Sequence, residues 1–405
     1  MSVGEDFFPK MHPVPGFKLG ISSAGIKKLG KKDLIIMELA DGSAIAGAFT
    51  KNAFCAAPVE LAKERIYSNK IRYLVTNTGN ANAGTGELGK QHAKAICDSL
   101  AKITSVNKEA VLPFSTGVIG EYLPVNKIIS ALPSALSKLS ETGWNSAASS
   151  ILTTDTRPKG SSVQLELSGK KITISGIAKG SGMIRPNMAT TLAYVATDLI
   201  IDQVIIKEII KNIVDLSFNR ITVDGDMSTN DAAILVATGI SGIYFSELSS
   251  YEQGVFLDNL REVFLSLACQ VVKDGEGATK FISVEVSSGR TKSECLKVAY
   301  SVAQSLLVKT ALFASDPNWG RILAAIGMAD ISDLDIKNIQ IYLDEILIAE
   351  KGGRADSYTE ALGQKIMDKD SLSINISLNR GDFTETVYTT DLSHEYIEIN
   401  SNYRS

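Results

Sequence analysis

The chain has 405 residues, of which 44% are hydrophobic and 21% charged, and its formal net charge is −4. That length exceeds what one hydrophobic core usually fills, so two or more subdomains are expected. The charge gives no pull toward nucleic acid or acidic membranes, no Lys/Arg cluster stands out, and no apolar run approaches the roughly 18 residues a membrane helix needs.

The opening MSVGEDFFPKMHPVPG holds early acids and prolines and no apolar stretch, so no secretory signal is expected. LIIMEL and AIAGAF flank the turn-forming Asp41-Gly42-Ser43 and predict a hairpin over 33–50. A strand, IRYLVTN, then runs into a Gly/Asn-rich loop from Thr78 to Gly86, and Leu88, Ala93, Ile96, Cys97, Leu100 and Ile103 fall near helical spacing over 87–103. A short strand Val111–Phe114 precedes the turn Ser115-Thr116-Gly117, and a helix is expected near 125–139. Val163–Leu167 and Ile172–Ile177 alternate around Ser168-Gly169-Lys170-Lys171 as a second hairpin.

In the second half, helices are predicted near 202–217, 255–273, 292–308 and 319–328, with strands near 221–223, 280–287, 338–343, 372–378 and 384–389. Strands and helices mix without a regular βαβ beat, which predicts an α+β fold of mixed layers. The four cysteines lie far apart with no CxxC, which argues against a structural zinc site and fits a reducing cytosol. The three histidines, His12, His92 and His394, are isolated in sequence and outside any HExxH pattern, so the base of an enzyme here is expected to be another group. Asn219 to Asp231 is rich in Asp and Asn but lacks the register of a calcium loop. No metal or cofactor is expected.

The most unusual stretch is KGSGMIRPNMATTL, from Lys179 to Leu192. It lacks the GxxxxGK[ST] spacing of a phosphate loop. It can be a plain connection between strands, the ordinary meaning of clustered Gly, Pro and Asn. It can also be a strained loop presenting Thr190 for self-cleavage, in which the hydroxyl attacks the Ala189 carbonyl and water hydrolyses the resulting ester. The freed N-terminal Thr190 would carry its own base, since an α-amino group has a pKa of about 7.7–8.0. That form of nucleophilic catalysis needs no histidine. Local composition leaves these last two readings open.

KGSGMIRPNMATTLAYVATD resembles the self-cleavage signature of the ArgJ family, the ornithine acetyltransferases or glutamate N-acetyltransferases. TNTGNANAGTG, STGVIG, ILTTDTRPK, TVDGDMSTND, DGEGATK, SDPNWGRI and the terminal EYIEINSNYRS resemble family blocks in order over nearly the whole chain. The resemblance implies a mixed-layer α+β fold of the DmpA/ArgJ kind, cut into fragments 1–189 and 190–405 that stay together, with two such pairs associating in the cytoplasm. It implies that Thr190 is the nucleophile and that Thr116 and Gly117 form the oxyanion hole, where losing one donor costs roughly 2.7–4 kcal/mol of barrier. It implies substrate contacts at Thr153, Lys179, Thr190, Glu276, Asn400 and Ser405, with Lys179 suited to a substrate carboxylate and Glu276 to an α-amino group. Thr153 and Thr154 are adjacent, and both are open for that contact. The alternating EYIEI allows a docked strand, and 219–231 and 316–320 are assigned to scaffold or site support.

The implied reaction is double displacement: N-acetylornithine gives its acetyl group to Thr190, and L-glutamate then takes it. Some relatives also accept acetyl-CoA. An N-terminal-threonine amidohydrolase or aminopeptidase would share the cut and pass the acyl group to water, whereas a non-catalytic binding protein would show no cut.

Overall fold

Pairs of neighbouring strand residues are divided between two different cores, and that division defines the layers. The computed structural model describes residues 2–28, 30–67, 70–185 and 191–402. Among these, the strands in the first half are β1 (Phe17–Ser22), β2 (Leu34–Leu39), β3 (Ala44–Phe49), β4 (Tyr73–Asn80), β5 (Val111–Val118), β6 (Lys159–Leu167), β7 (Lys170–Lys179) and β8 (Leu192–Thr197). The second half adds β9 (Ala232–Ala237), β10 (Phe281–Gly289), β11 (Gln340–Leu343), β12 (Ile346–Glu350), β13 (Gly353–Arg354), β14 (Ser371–Ser377) and β15 (Phe383–Thr390).

These strands form three mixed sheets, ordered β1-β2-β4-β5, β3-β9-β8-β7-β6 and β13-β12-β11-β14-β10-β15. In the first sheet, Ile35 and Met37 point into one core while Leu34 and Ile36 point into another, as the two-residue pleat requires. The core holding Ile35 and Met37 is shared with Leu192, Tyr194, Ala196, Ile234 and Val236 of the second sheet. The opposite faces of β8 and β9, Ala193, Val195, Ala233 and Leu235, pack on the helices Gln203–Asp215 and Ser250–Lys273. Leu34 and Ile36 pack instead on the helices Gly86–Thr104 and Val125–Leu136. The result is helix, sheet, sheet, helix, with a hydrogen bond of 2.8 Å between Thr76 Oγ1 and Tyr194 Oη tying the sheets across the shared core. The third sheet has its own core, built with the helices Lys292–Ala303, Leu306–Phe313 and Trp319–Gly327. The α+β expectation with more than one core holds.

Several local expectations do not. LIIMEL and AIAGAF are strands, but they do not form a hairpin: both edges of β2 are taken by β1 and β4, so β3 crosses to pair with β9 in the other sheet. Ile221–Val223 forms no strand and keeps only a single bridge from Ile221 to Tyr388. The helix expected over 292–308 breaks at Ser305, whose hydroxyl accepts from Val308 N and starts a second helix. Ser115-Thr116-Gly117 is not a turn, because β5 continues to Val118 beside β4, which itself runs on to Asn80. EYIEI is not a strand but part of the helix His394–Ser401. The hairpin of β6 and β7 is present, with Ser168 and Gly169 both at positive φ (48° and 71°) as a two-residue turn demands.

Candidate active site

Strand ends from both sandwiched sheets meet at one cavity of about 260 Å³. β5 brings Thr116 and Gly117, β7 ends on Lys179, and β8 begins after Thr191; the segment Ser228–Asp231 enters β9, while Glu276 and Asn400 close the other side. Thr153 and Thr154 also line the wall. Of the residues expected from the sequence, Thr116, Gly117, Thr153, Lys179, Glu276 and Asn400 therefore converge. Ala189, Thr190 and Ser405 lie outside the described residues. None of the three histidines lines the cavity, nor does any residue of 316–320.

Gly117 is dictated by contact. β4 and β5 run parallel with Gly79 opposite Gly117, and a Cβ at Gly117 would sit 2.3 Å from the carbonyl carbon of Gly79. Its φ of 134° is also one that other residues rarely adopt. Asn230 clamps this strand end from the neighbouring sheet, donating from Nδ2 to the carbonyls of Ala81 (2.7 Å) and Ser115 (2.9 Å). Next to Gly117, Lys179 Nζ donates to Thr116 Oγ1 at 3.1 Å. A hydroxyl that accepts from an ammonium keeps its own proton to give elsewhere. Thr116 is thereby set up as a donor.

Beneath Lys179 lies a buried charge cluster. Lys159 Nζ reaches Asp155 Oδ1 at 2.6 Å and Asp274 Oδ2 at 2.5 Å, and all three side chains are fully buried. Asp155 also accepts from Gly180 N (2.7 Å) and Thr153 N (3.0 Å), so the same carboxylate fixes two walls of the cavity. Burial alone would push Asp155 up, but the Lys159 and Lys179 ammonium groups and the Gly180 amide hold its carboxyl well below the usual carboxylate range. Loss of water lowers Lys179 below the usual lysine value, opposed in part by Asp155.

Glu276 is buried, and its Oε2 accepts from Asn400 Nδ2 at 2.7 Å while its backbone N donates to Ser181 O at 2.9 Å. A Cβ at Gly182 would lie 2.4 Å from the Glu276 carboxyl carbon, so the glycine is what lets the carboxylate into the cavity. The segment after it is pinned by Asp224, which accepts from Met183 N (2.7 Å) and Ile184 N (2.9 Å) and from Tyr396 Oη (3.2 Å). Thr154 Oγ1 is occupied by Ser181 Oγ at 2.7 Å, and Thr153 Oγ1 lies 3.5 Å from Asp155.

The sequence reading missed Asp155, Lys159, Asp274 and Asp231. Asp155 and Lys159 stand four apart in TTDTRPK, a spacing that signals a pair only if both are buried together. A second cavity of about 350 Å³ shares Gly117, Val118, Thr153 and Thr154 with the first and is lined by Lys27, Lys28 and Lys31. Contrary to the expectation of no basic cluster, KKLGKK is one, and its lysines gather beside the site.

A cation and a carboxylate facing one small cavity, beside a hydroxyl and a backbone amide at a strand end, are groups that can bind the two ends of an amino acid and polarise a carbonyl. The chain belongs to the ArgJ family, whose model matches residues 18–405. It is 54% identical over 409 residues to the arginine biosynthesis bifunctional protein ArgJ of Pseudomonas syringae pathovar tomato and 53% identical over 408 residues to that of Pseudomonas fluorescens, each match covering 100% of both chains. Among solved structures, the arginine biosynthesis bifunctional protein ArgJ of Bacillus halodurans is 33% identical, with a TM-score of 0.48, covering 51% of this chain and 97% of that one.

Proposed function

We propose that this chain is a cytoplasmic acetyltransferase of arginine biosynthesis that cuts itself between Ala189 and Thr190 and carries an acetyl group on Thr190 from N-acetylornithine to L-glutamate. One observation carries the reading: six residues from five distant segments, Thr116, Gly117, Thr153, Lys179, Glu276 and Asn400, line one cavity together with Thr191, the residue after the nucleophile. The two Pseudomonas relatives are arginine biosynthesis proteins, which supports the pathway.

In the cut, Thr190 Oγ attacks the Ala189 carbonyl, the C–N bond breaks, and water hydrolyses the ester to leave a carboxylate on Ala189 and an amine on Thr190. In transfer, that amine takes the hydroxyl proton as Oγ attacks the acetyl carbonyl. The oxyanion accepts hydrogen bonds from the Thr116 hydroxyl and the Gly117 N–H. The intermediate collapses with cleavage of the amide bond, and the proton passes to the departing ornithine nitrogen. Lys179 holds the α-carboxylate, Glu276 accepts from the α-nitrogen, and Asn400, bound to Glu276, fixes that carboxylate from the C-terminal helix. Glutamate shares the carboxylate and the α-nitrogen, so it occupies the same contacts and its amine attacks the ester in reverse order.

β7 and β8 are antiparallel neighbours with six registered pairs, which supports fragments 1–189 and 190–405 remaining one body, and we take two such pairs to associate. We further infer that acetyl-CoA also loads Thr190. The cavity carrying Lys27, Lys28 and Lys31 adjoins Gly117 and suits phosphates.

The test is intact mass under denaturing conditions for the wild type and Thr190→Ala, followed by acetyl transfer with and without glutamate. Two fragments in the wild type, an uncut variant and glutamate-dependent release of ornithine are expected. A single chain in both removes the mechanism, and ornithine release indifferent to glutamate makes the enzyme a hydrolase. Acetylation of glutamate from acetyl-CoA, weakened by Lys27→Ala/Lys28→Ala/Lys31→Ala, checks the second donor.

A further inference from the structure

The parallel ladder of β4 and β5 is irregular where it carries Thr116 and Gly117: its register shifts between Gly79 and Asn80, directly opposite them. Ladder hydrogen bonds are disrupted at such a point and fix a strand end poorly. Side-chain amides take over there. Asn77 Oδ1 accepts from Ser115 Oγ at 2.6 Å, and Asn77 Nδ2 donates to Asn80 O at 2.9 Å. Asn80 Nδ2 reaches Glu121 O and Tyr122 O at 3.2 and 3.3 Å. Asn230 adds the clamp from the second sheet, with its Nδ2 on Ala81 O beyond the end of β4 and on Ser115 O within β5.

We propose that Asn230 is a positioning residue for the oxyanion hole, holding Ser115 O and Ala81 O together so that the strand end aims the Thr116 hydroxyl and the Gly117 N–H at one point. This rests on the oxyanion reading of Thr116 and Gly117 given above. Asn230 lines the cavity, but both of its amide protons are spent on the two carbonyls, which leaves it no donor for a substrate. Its orientation is fixed as well. Thr229 Oγ1 donates to Asn230 Oδ1 at 2.6 Å, and a flipped amide would set that oxygen against two carbonyl oxygens.

The clamp also measures a distance. Asn230 stands just before β9, and Ala232 N, at the start of that strand, donates to Thr191 O at 2.9 Å. One short stretch of chain therefore grips the oxyanion strand of the first sheet with Asn230 and the head of β8 in the second with Ala232. The spacing between the two is set by covalent geometry along 230–232 and not only by how the sheets pack. The neighbouring Asp231, 1% exposed, lies on the same wall. A neutral amide at 230 does its work without burying a second charge there.

The experiment measures melting temperature, and kcat and KM for N-acetylornithine per cut molecule counted by denaturing intact mass, in wild type, Asn230→Ala, Thr116→Val and the double variant. Asn230→Ala should lower kcat about 30-fold with KM within about twofold, because misaimed donors weaken the transition state and not the bound substrate. In the Thr116→Val background the same change should cost only a few fold, since part of what Asn230 aims is already gone. Equal losses in both backgrounds, or a raised KM at unchanged kcat, overturn the proposal. Thr229→Val keeps Asn230 and removes only the hydroxyl that orients its amide, so it serves if Asn230→Ala fails to fold or to cut. Its kcat should fall about threefold, and an unchanged kcat then overturns the proposal. Where Thr116→Val stays uncut, the split between kcat and KM in Asn230→Ala and Thr229→Val decides alone. A Thr116→Val enzyme as fast as the wild type brings down the oxyanion reading itself, whereas a slow Thr116→Val beside a fast Asn230→Ala brings down only the role of Asn230.

Discussion

Two ion networks of similar composition sit in different parts of this molecule. Under the cavity, Lys159 bridges Asp155 and Asp274 with all three side chains fully buried. At the rim of the third sheet, Asp333 bridges Arg290 and Arg380, with Asp333 55% and Arg290 58% exposed. The first network holds backbone amides of Thr153, Thr156, Arg157 and Gly180, so its charges are bound into the walls of the site. At Asp333 the second holds side chains to each other and adds one contact from Arg380 to the Asp333 carbonyl, while Arg380 also pairs with Glu294, which accepts from Arg290 N. Buried charge commits a region to one geometry, whereas exposed charge is shielded by water and salt.

The largest effect that could break this contrast is Lys159→Met. Removing the ammonium that two buried carboxylates share should cost about 3–5 kcal/mol, read as a large drop in melting temperature and loss of transfer activity. A variant melting within a degree or two of the wild type would show the cluster to be slack. Acid should act through the same group. Asp155 is depressed in the folded state, so its contribution is complete above its unfolded pKa of about 3.9 and drains away as pH falls below that. Urea midpoints from pH 6 down to about pH 3 should fall steeply in the wild type, and less so in Lys159→Met.

Gly182→Ala is smaller and more local. Its methyl group would meet the Glu276 carboxyl, so KM for the amino-acid substrates should rise by about tenfold while the melting temperature hardly moves. An unchanged KM would remove Glu276 from substrate binding. The smallest effect belongs to the exposed network: Asp333→Asn should leave activity and melting temperature unchanged at physiological salt, and a clear loss there would end the contrast.

Much of the architecture could be read from periodicity. The helix over 87–103 was visible in its apolar spacing, and the hairpin of β6 and β7 in its Ser168-Gly169 turn. What failed was pairing. LIIMEL and AIAGAF look like a hairpin because local spacing cannot report that β1 and β4 already occupy both edges of β2. EYIEI alternates like a strand, yet Asn400 reaches Glu276 only from a helix. The site residues Thr116, Gly117, Thr153, Lys179, Glu276 and Asn400 were named because whole blocks resembled a family, not because their neighbours advertised chemistry. Asp231 and Asp155 escaped for the opposite reason. Their importance lies in burial, and an aspartate in a polar run looks the same whether it is solvated or enclosed.

The antiparallel register of β7 with β8 has a consequence for how the protein forms. In the intact chain, β8 slots between β7 and β9 as part of one molecule, a first-order event. If the proposed cut severs the connection between β7 and β8, neither piece can complete that five-stranded sheet alone, and reassembly becomes a meeting of two molecules. Refolding of the cut enzyme from denaturant should therefore slow in proportion to dilution, while an uncut Thr190→Ala chain should refold at a rate independent of concentration. Cleavage would make the fold a historical product: easy to reach once, as a single thread, and hard to recover afterwards.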